Sequence, residues 1–191
     1  MYAVDFVSAW YAAAAAHLDL FGSLGLCLGF TAGMMPRRDR ILLASAACAA
    51  AFGVHYLTLG ALTGAAMCAI SVLQSLVALT CLGRPGRSGW VPPLFAASTL
   101  AAAGLTVATW TGWPSACAAL GTLLATGARL RTAPQPMRLL FLGASLCWAG
   151  HNLLVGSVFG LTCDLLTISG LGIALLRAVP ARPVTPEGLR A

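Results

Sequence analysis

Residues 55–68 read HYLTLGALTGAAMC and residues 151–164 read HNLLVGSVFGLTCD, so the pattern H-x4-G-x3-G occurs twice, at an offset of 96 residues. The same offset aligns Leu24 and Gly25 with Leu120 and Gly121, Leu28 with Leu124, Phe52 with Trp148, and Cys68 with Asp164, without a gap. Self-similarity at one fixed offset marks a duplicated structural unit, and many transporters are built from such units.

The medium in which the unit folds follows from composition. The chain is 59% hydrophobic and only 8% charged, whereas a soluble domain is about 45–50% apolar. Its 11 basic residues are all arginine. They cluster at Arg37, Arg38 and Arg40; at Arg84 and Arg87; at Arg129, Arg131 and Arg138; and at Arg177, Arg182 and Arg190. Residues 41–83, 88–128 and 139–176 contain no arginine or lysine, and each gap holds about two spans of 20 apolar residues. Each gap is therefore a helical hairpin that returns to the side it left.

With one more span before Arg37, the expectation is an all-α membrane protein of seven transmembrane helices, over residues 17–35, 40–60, 62–82, 91–110, 113–131, 137–156 and 158–178. All arginines then fall on one side. Arginine in short loops stays cytoplasmic, which puts the N-terminus outside and the C-terminus inside. The net charge of +6 is thus a topology signal, and no nucleic-acid partner is expected. Trp10, Trp110 and Trp113 at the outer boundary and Trp90 at the inner one fit aromatic belts.

The repeat divides these spans into a first three-helix bundle (17–82), a linker helix (91–110) and a second bundle (113–178). Residues 1–16 are expected as an outer interfacial extension and 179–191 as a cytoplasmic tail. Three is odd, so one linker helix restores the orientation of the first bundle in the second. The repeats are then parallel about an axis along the membrane normal, the architecture of SWEET-type sugar transporters. The likeness concerns architecture, and fold alone does not define function. The Pro134–Gln135 pair is expected in an arginine-flanked loop, outside the helical setting of a PQ-loop motif.

The two motifs GVHYLTLG (residues 53–60) and HNLLVGSVFG (residues 151–160), with the acid at Asp164 after the second, resemble the YgjV family of bacterial inner-membrane proteins. The resemblance runs from about Leu18 to Arg177. It implies a helical protein of the inner membrane and no particular substrate. It also implies polar side chains on the third helix, where this chain reads AAMCAIS (residues 65–71).

Among so few polar residues, the candidates for binding are His55, His151, Asn152 and Asp164. His151 and Asp164 fall roughly 6 to 9 Å below the outer boundary on adjacent antiparallel helices, at 1.5 Å rise per residue, and are expected to touch. Ionisable groups at such depth commonly pair or face a cavity, and a histidine beside an acid can exchange a proton near neutral pH. The competing reading is an interhelical lock. His55 is expected at the same depth, facing Cys68, with both histidines lining a central site. Asn152 points about 100° away from His151 around the helix, which favours a packing hydrogen bond over a shared site. Asp19 and His17 open the first helix, where a carboxylate complements the dipole, and Gln74 is expected to pack.

Seven scattered cysteines without a C-x-x-C pair signal neither a disulfide frame nor a metal knuckle. No metal or other cofactor is expected. No Walker loop, G-x-S-x-G or H-E-x-x-H is present, so no enzyme is expected. Two functions fit: a transporter of a small polar solute, by rocking of two bundles around a His/Asp site, or a non-transporting protein that assembles with or stabilises another membrane complex. The partners implied are the lipid bilayer and an unspecified solute, with the oligomeric state open.

Overall fold

The computed structural model describes residues 19–35, 37–81, 89–131 and 133–177. Every regular element among them is a helix: α1 (Leu20–Met34), α2 (Arg38–Thr58), α3 (Leu62–Cys81), α4 (Val91–Ala108), α5 (Trp113–Arg129), α6 (Pro134–Val155) and α7 (Val158–Arg177). Five of them, α2, α3, α4, α6 and α7, are long and apolar enough to cross a membrane. The proposed extension 1–16, the tail 179–191, His17, and Arg84, Arg87, Arg182 and Arg190 lie outside the described residues.

The helix limits have local causes. α1 starts three residues later than expected because Asp19 is its N-cap, accepting from the amides of Phe21 (2.8 Å) and Gly22 (3.2 Å). It stops at Met34, because Met35 precedes a proline and is extended, with φ −69° and ψ 130°. The result is 15 residues, shorter than a full span. α5, with 17 residues, is the other short helix. Gly60 (φ 70°) and Gly156 (φ 72°) take the left-handed conformation that ends α2 and α6. Pro134 and Gln135 form the first turn of α6 rather than part of a loop, since proline suits a helix start.

The chain runs up and down, so the described arginines outside the helix interiors gather at one end of the bundle and the two glycine turns at the other. These are called below the arginine end and the turn end. α1 packs on α2 and α7, α2 on α3, α5 on α3 and α6, and α6 on α7, while α4 touches only α3 and α5 among its larger contacts.

Burial is inverted relative to a water-soluble protein. Leu100, Val107, Leu139, Leu153 and Leu176 are exposed, whereas Ser75, Ser115, Thr122, Gln74, Asn152 and both described histidines are fully buried. Apolar side chains outside and small or hydrogen-bonding ones between helices are the pattern expected where lipid is the solvent. The exposed indoles of Trp90, Trp110 and Trp113 sit at helix starts and ends, the level of an interfacial belt.

Candidate functional site

Each histidine sits in the final turn or two of its helix, and each turns its Nδ1 toward the start of a neighbouring helix. His55, in α2, bonds through Nδ1 to the Asp19 carboxylate that caps α1. His151, in α6, donates from Nδ1 to the carbonyl of Pro114 in the first turn of α5, at 2.9 Å. The latter bond assigns the tautomer, because a carbonyl only accepts. Both rings are 1% exposed.

The second nitrogens differ. His55 Nε2 meets Ser157 Oγ at 3.0 Å, which ties α2 to the turn between α6 and α7. The same hydroxyl oxygen accepts from the amide of Gly160 at 3.1 Å. His151 Nε2 is buried with no hydrogen-bond partner among the described residues. It faces Gly64, where a Cβ would come within 2.6 Å of it, and the rings of Tyr56 and Trp148 stand edge-on to it at 5.3 Å.

The expected contact between His151 and Asp164 is not formed, nor does His55 face Cys68 as its polar partner. The acid is held by Asn152, whose Nδ2 donates to Asp164 Oδ2 at 2.7 Å. Asn152 Oδ1 in turn accepts from the Tyr56 hydroxyl, also at 2.7 Å. The physical reason is azimuth: depth along a helix places His151 and Asp164 at one level, but residue 152 lies on the side of α6 that looks at α7. This Tyr56–Asn152–Asp164 chain crosses from α2 to α6 to α7. The Tyr56 ring also stacks on Trp148, with ring centroids 5.9 Å apart and planes 10° from parallel.

Directly below that layer lies a half-open cavity of about 320 Å³. Phe52, Tyr56, Trp148, Asn152, Gly160 and Asp164 line its upper part, and Met35, Arg129, Met137 and Arg138 line it toward the arginine end. Ser45, Ser71, Ser145 and Thr167 contribute hydroxyls along its length. Asn152 and Asp164 thus face the cavity, whereas His55 and His151 stand behind its closed end and are absent from its wall. This corrects the expectation that both histidines line a central site.

Two features escaped the sequence reading. Tyr56 is one, an aromatic phenol whose hydroxyl ties α2 to α6 through Asn152. The other is Arg129, read above only as a topology marker near the end of the expected span 113–131, which ends α5 and is 4% exposed. It belongs to a polar stripe, Ser115, Thr122, Thr126 and Arg129, all buried and spaced along one face of α5. Gln74 belongs to the same group and does more than pack: its Oε1 accepts from Thr126 and Arg129, and its Nε2 donates to Ser98.

Among the described residues no group of three His, Cys, Asp or Glu side chains could hold a metal ion. Outside the membrane-spanning helices, Asp19 is the titratable group of interest. Burial pushes its carboxyl up, but the hydrogen bonds from His55 and from the amides of Phe21 and Gly22 outweigh this and hold it below its ordinary value.

A helical bundle with an apolar exterior, a hydrogen-bonded interior and five helices long and apolar enough to cross a bilayer defines an integral membrane protein. Within that class, the chain belongs to the Imp-YgjV family, described as bacterial inner membrane protein, whose family model matches residues 17–181. The protein is accordingly one of the bacterial inner membrane. No curated protein and no solved structure matches the chain.

Proposed function

We propose that the protein is a transporter of a small polar solute, in which two three-helix bundles, α1–α3 and α5–α7, rock about the cavity between them. In this reading all seven helices span the bilayer, α4 is the linker, the N-terminus is outside and the arginine end is cytoplasmic. Lipid and the solute are the partners, and no chemical step is catalysed.

The observation that carries the reading is the cavity itself, sealed on one side by bonds between the two bundles and extending toward the other. Tyr56→Asn152, His55···Ser157 and the Tyr56–Trp148 stack all join one bundle to the other at the turn end. Such contacts form a gate that a rocking motion opens, as in other parallel-repeat transporters. The duplication is supported by equivalent packing: α1 rests on α2 and α7 as α5 rests on α6 and α3. It is supported also by Gly25 and Gly121, which let the Phe52 ring and the Trp148 ring respectively approach to within 3 Å of where a Cβ would sit. The carboxylate of Asp164 is the group that meets a cation or proton, with Asn152 orienting it.

The competing reading, a non-transporting partner of another complex, draws on the double hydrogen bonding of Asn152, which suffices as an interhelical bolt. Thermal stability of the purified wild type and Asp164→Asn separates the two, measured against sugars, amino acids, nucleosides and metal ions from pH 5 to 8. Transport expects a ligand that stabilises the wild type and leaves a folded Asp164→Asn protein unchanged. No shift with any ligand, together with a large loss of stability in the variant, overturns it in favour of the structural role.

A further inference from the structure

We propose that Arg129 is the anion-binding group of the cavity, so that its ligand carries a carboxylate or phosphate. The proposal deepens the transport reading by naming a substrate class, but the binding site it assigns stands or falls by its own test.

An arginine at the end of a membrane-facing helix ordinarily extends its charge to the water interface. Arg37 does so, pairing with Asp39 at 2.8 Å on the surface. Arg129 instead folds back along α3 and buries its guanidinium. Its Nε donates to Ser75 Oγ at 2.9 Å and its Nη1 to Gln74 Oε1 at 3.2 Å. Both acceptors are neutral, and no carboxylate pairs with Arg129 among the described residues. Withdrawing a cation from water without an opposite charge costs several kcal/mol, so an uncompensated guanidinium in a cavity wall is poised for an anion.

The usual structural reason for a cation here is to neutralise the carbonyls at the C-terminus of α5. That role is filled by another residue. Arg38 donates to the carbonyl of Arg129 itself (3.3 Å) and to that of Ala78 at the end of α3 (3.5 Å). Arg129 is thereby left for the cavity.

Its orientation is fixed from behind. Gln74 Oε1 is shared between Arg129 and the Thr126 hydroxyl at 2.8 Å, Gln74 Nε2 donates to Ser98 Oγ at 2.9 Å, and Ser98 Oγ donates to the carbonyl of Phe95. Three helices, α3, α4 and α5, thus hold one guanidinium. Nη2 makes no hydrogen bond to the described residues, and Arg129 lines the cavity. Arg138, half-buried, adds a second positive charge to the same end. A guanidinium held by two of its nitrogens, with the third unbonded among the described residues, is suited to planar or tetrahedral oxyanions.

Position along the helices sets the rest of the ligand. Gln74 lies about 9 Å nearer the arginine end than Asp164, at 1.5 Å per residue. The anionic group therefore binds in the lower cavity, and the remainder of the solute reaches toward Asn152 and Asp164 between the apolar walls of Phe52, Phe141 and Trp148.

The test is binding to purified wild type, Arg129→Met and Arg129→Lys, read by thermal shift and by the fluorescence of Trp148 against a Trp148→Phe control. The probes are short-chain carboxylates and phosphate monoesters at constant ionic strength, beside their neutral amides and alcohols. Anions are expected to stabilise the wild type and their neutral analogues not to. Arg129→Met is expected to fold and to bind at least about tenfold more weakly, the value of one charge-assisted hydrogen bond. Arg129→Lys, which keeps the charge and loses the fork, serves if the methionine variant does not fold, and is expected to fall between them. Native mass spectrometry distinguishes the source: an anionic phospholipid retained by wild type and lost from the variants assigns the oxyanion to a headgroup. Equal response to anions and neutral analogues, or to anions in wild type and variants alike, overturns the proposal. A neutral solute that binds while no anion does overturns it and leaves the transport reading standing.

Discussion

Tyr56 and Asn152 stand 96 residues apart, the offset at which the sequence repeats, and they are hydrogen-bonded to each other at 2.7 Å. In a parallel duplication a residue meets its own counterpart only near the axis that relates the two copies. In the proposed duplication the bond would lie near that axis, at the closed end of the cavity. The two groups are complementary: a phenol donates and an amide oxygen accepts. The amide's remaining capacity then goes to Asp164.

Tyr56→Phe removes this donor and leaves a buried carbonyl oxygen unpaired. The expected loss is about 1–3 kcal/mol of stability, read as a lower melting temperature in detergent. In the gate reading the same variant opens the turn end more readily, so uptake changes in addition to stability. A variant as stable as wild type would mean that Asn152 finds another donor and that the bond is not a latch.

The two glycines that close the motif are expected to respond differently from those that open it. A Cβ on Gly160 would lie 2.2 Å from Asn152 Oδ1, and the amide cannot retreat because Tyr56 and Asp164 hold it on both sides. A Cβ on Gly64 would lie 2.6 Å from His151 Nε2. Gly160→Ala is expected to cost about 1–3 kcal/mol by overpacking, with Gly64→Ala close behind. Gly156→Ala meets no atom within 4 Å but must adopt φ 72°, and it is expected to lose about 1 kcal/mol through backbone strain alone. Gly104→Ala, a helical site with nothing within 4 Å, is expected to be neutral or slightly stabilising. Melting temperatures of the four variants check the order.

Lipid as solvent alters the meaning of a core truncation. Phe95 of α4 is 2% exposed and packs with Leu42, Ala78 and Val91, whereas Leu100 on the same helix is 75% exposed. Moving an apolar side chain between lipid and the bundle interior gains no hydrophobic transfer energy, so only packing is at stake. Phe95→Ala is expected at or below the low end of the roughly 3–5 kcal/mol seen for such truncations. Leu100→Ala is expected within about 0.5 kcal/mol of wild type. Unfolding in mixed micelles measures both, and a large loss for Leu100→Ala would indicate a second protein surface against α4.

How far the sequence could be read depends on the kind of signal. Helix limits were legible because arginine clusters, prolines and glycines are local markers: all seven helices start and end within three residues of expectation, and the late start of α1 is set by the Asp19 cap. The positions of His151 and Asp164 along their helices were legible for the same reason. Their pairing was not, since depth gives no azimuth, and Asn152, one residue and about 100° away, is the side chain that faces the acid. Tyr56 was hidden because its role exists only across the two bundles. Arg129 was readable in part: it fell inside the expected helix 113–131, and the stripe of Ser115, Thr122, Thr126 and Arg129 recurs at helical spacing, but membership in an arginine cluster suggested a charge facing the water interface. That its guanidinium turns inward could come only from the packing of α3 against α5.

Asp19 and His55 join α1 to α2 at the turn end, and their coupling is open to a double-mutant cycle. Asp19 acts twice, capping α1 through two amides and receiving the histidine. Asp19→Asn retains much of the cap and loses the charge, whereas His55→Gln loses the ring and its link to Ser157. Because the pair is in contact, the double variant is expected to depart from additivity by at least about 0.5 kcal/mol. Acid sensitivity provides a second readout. The Asp19 carboxyl is held below its ordinary value of 3.8, so the folded protein binds its proton less readily than the unfolded chain. Its contribution is fully present above pH 3.8 and is lost as the pH falls through the lower folded value. Asp19→Asn is expected to abolish this part of the acid limb and to leave stability near neutral pH only modestly reduced. An acid limb identical in the two proteins would place the sensitivity on other carboxylates and reduce Asp19 to a helix cap.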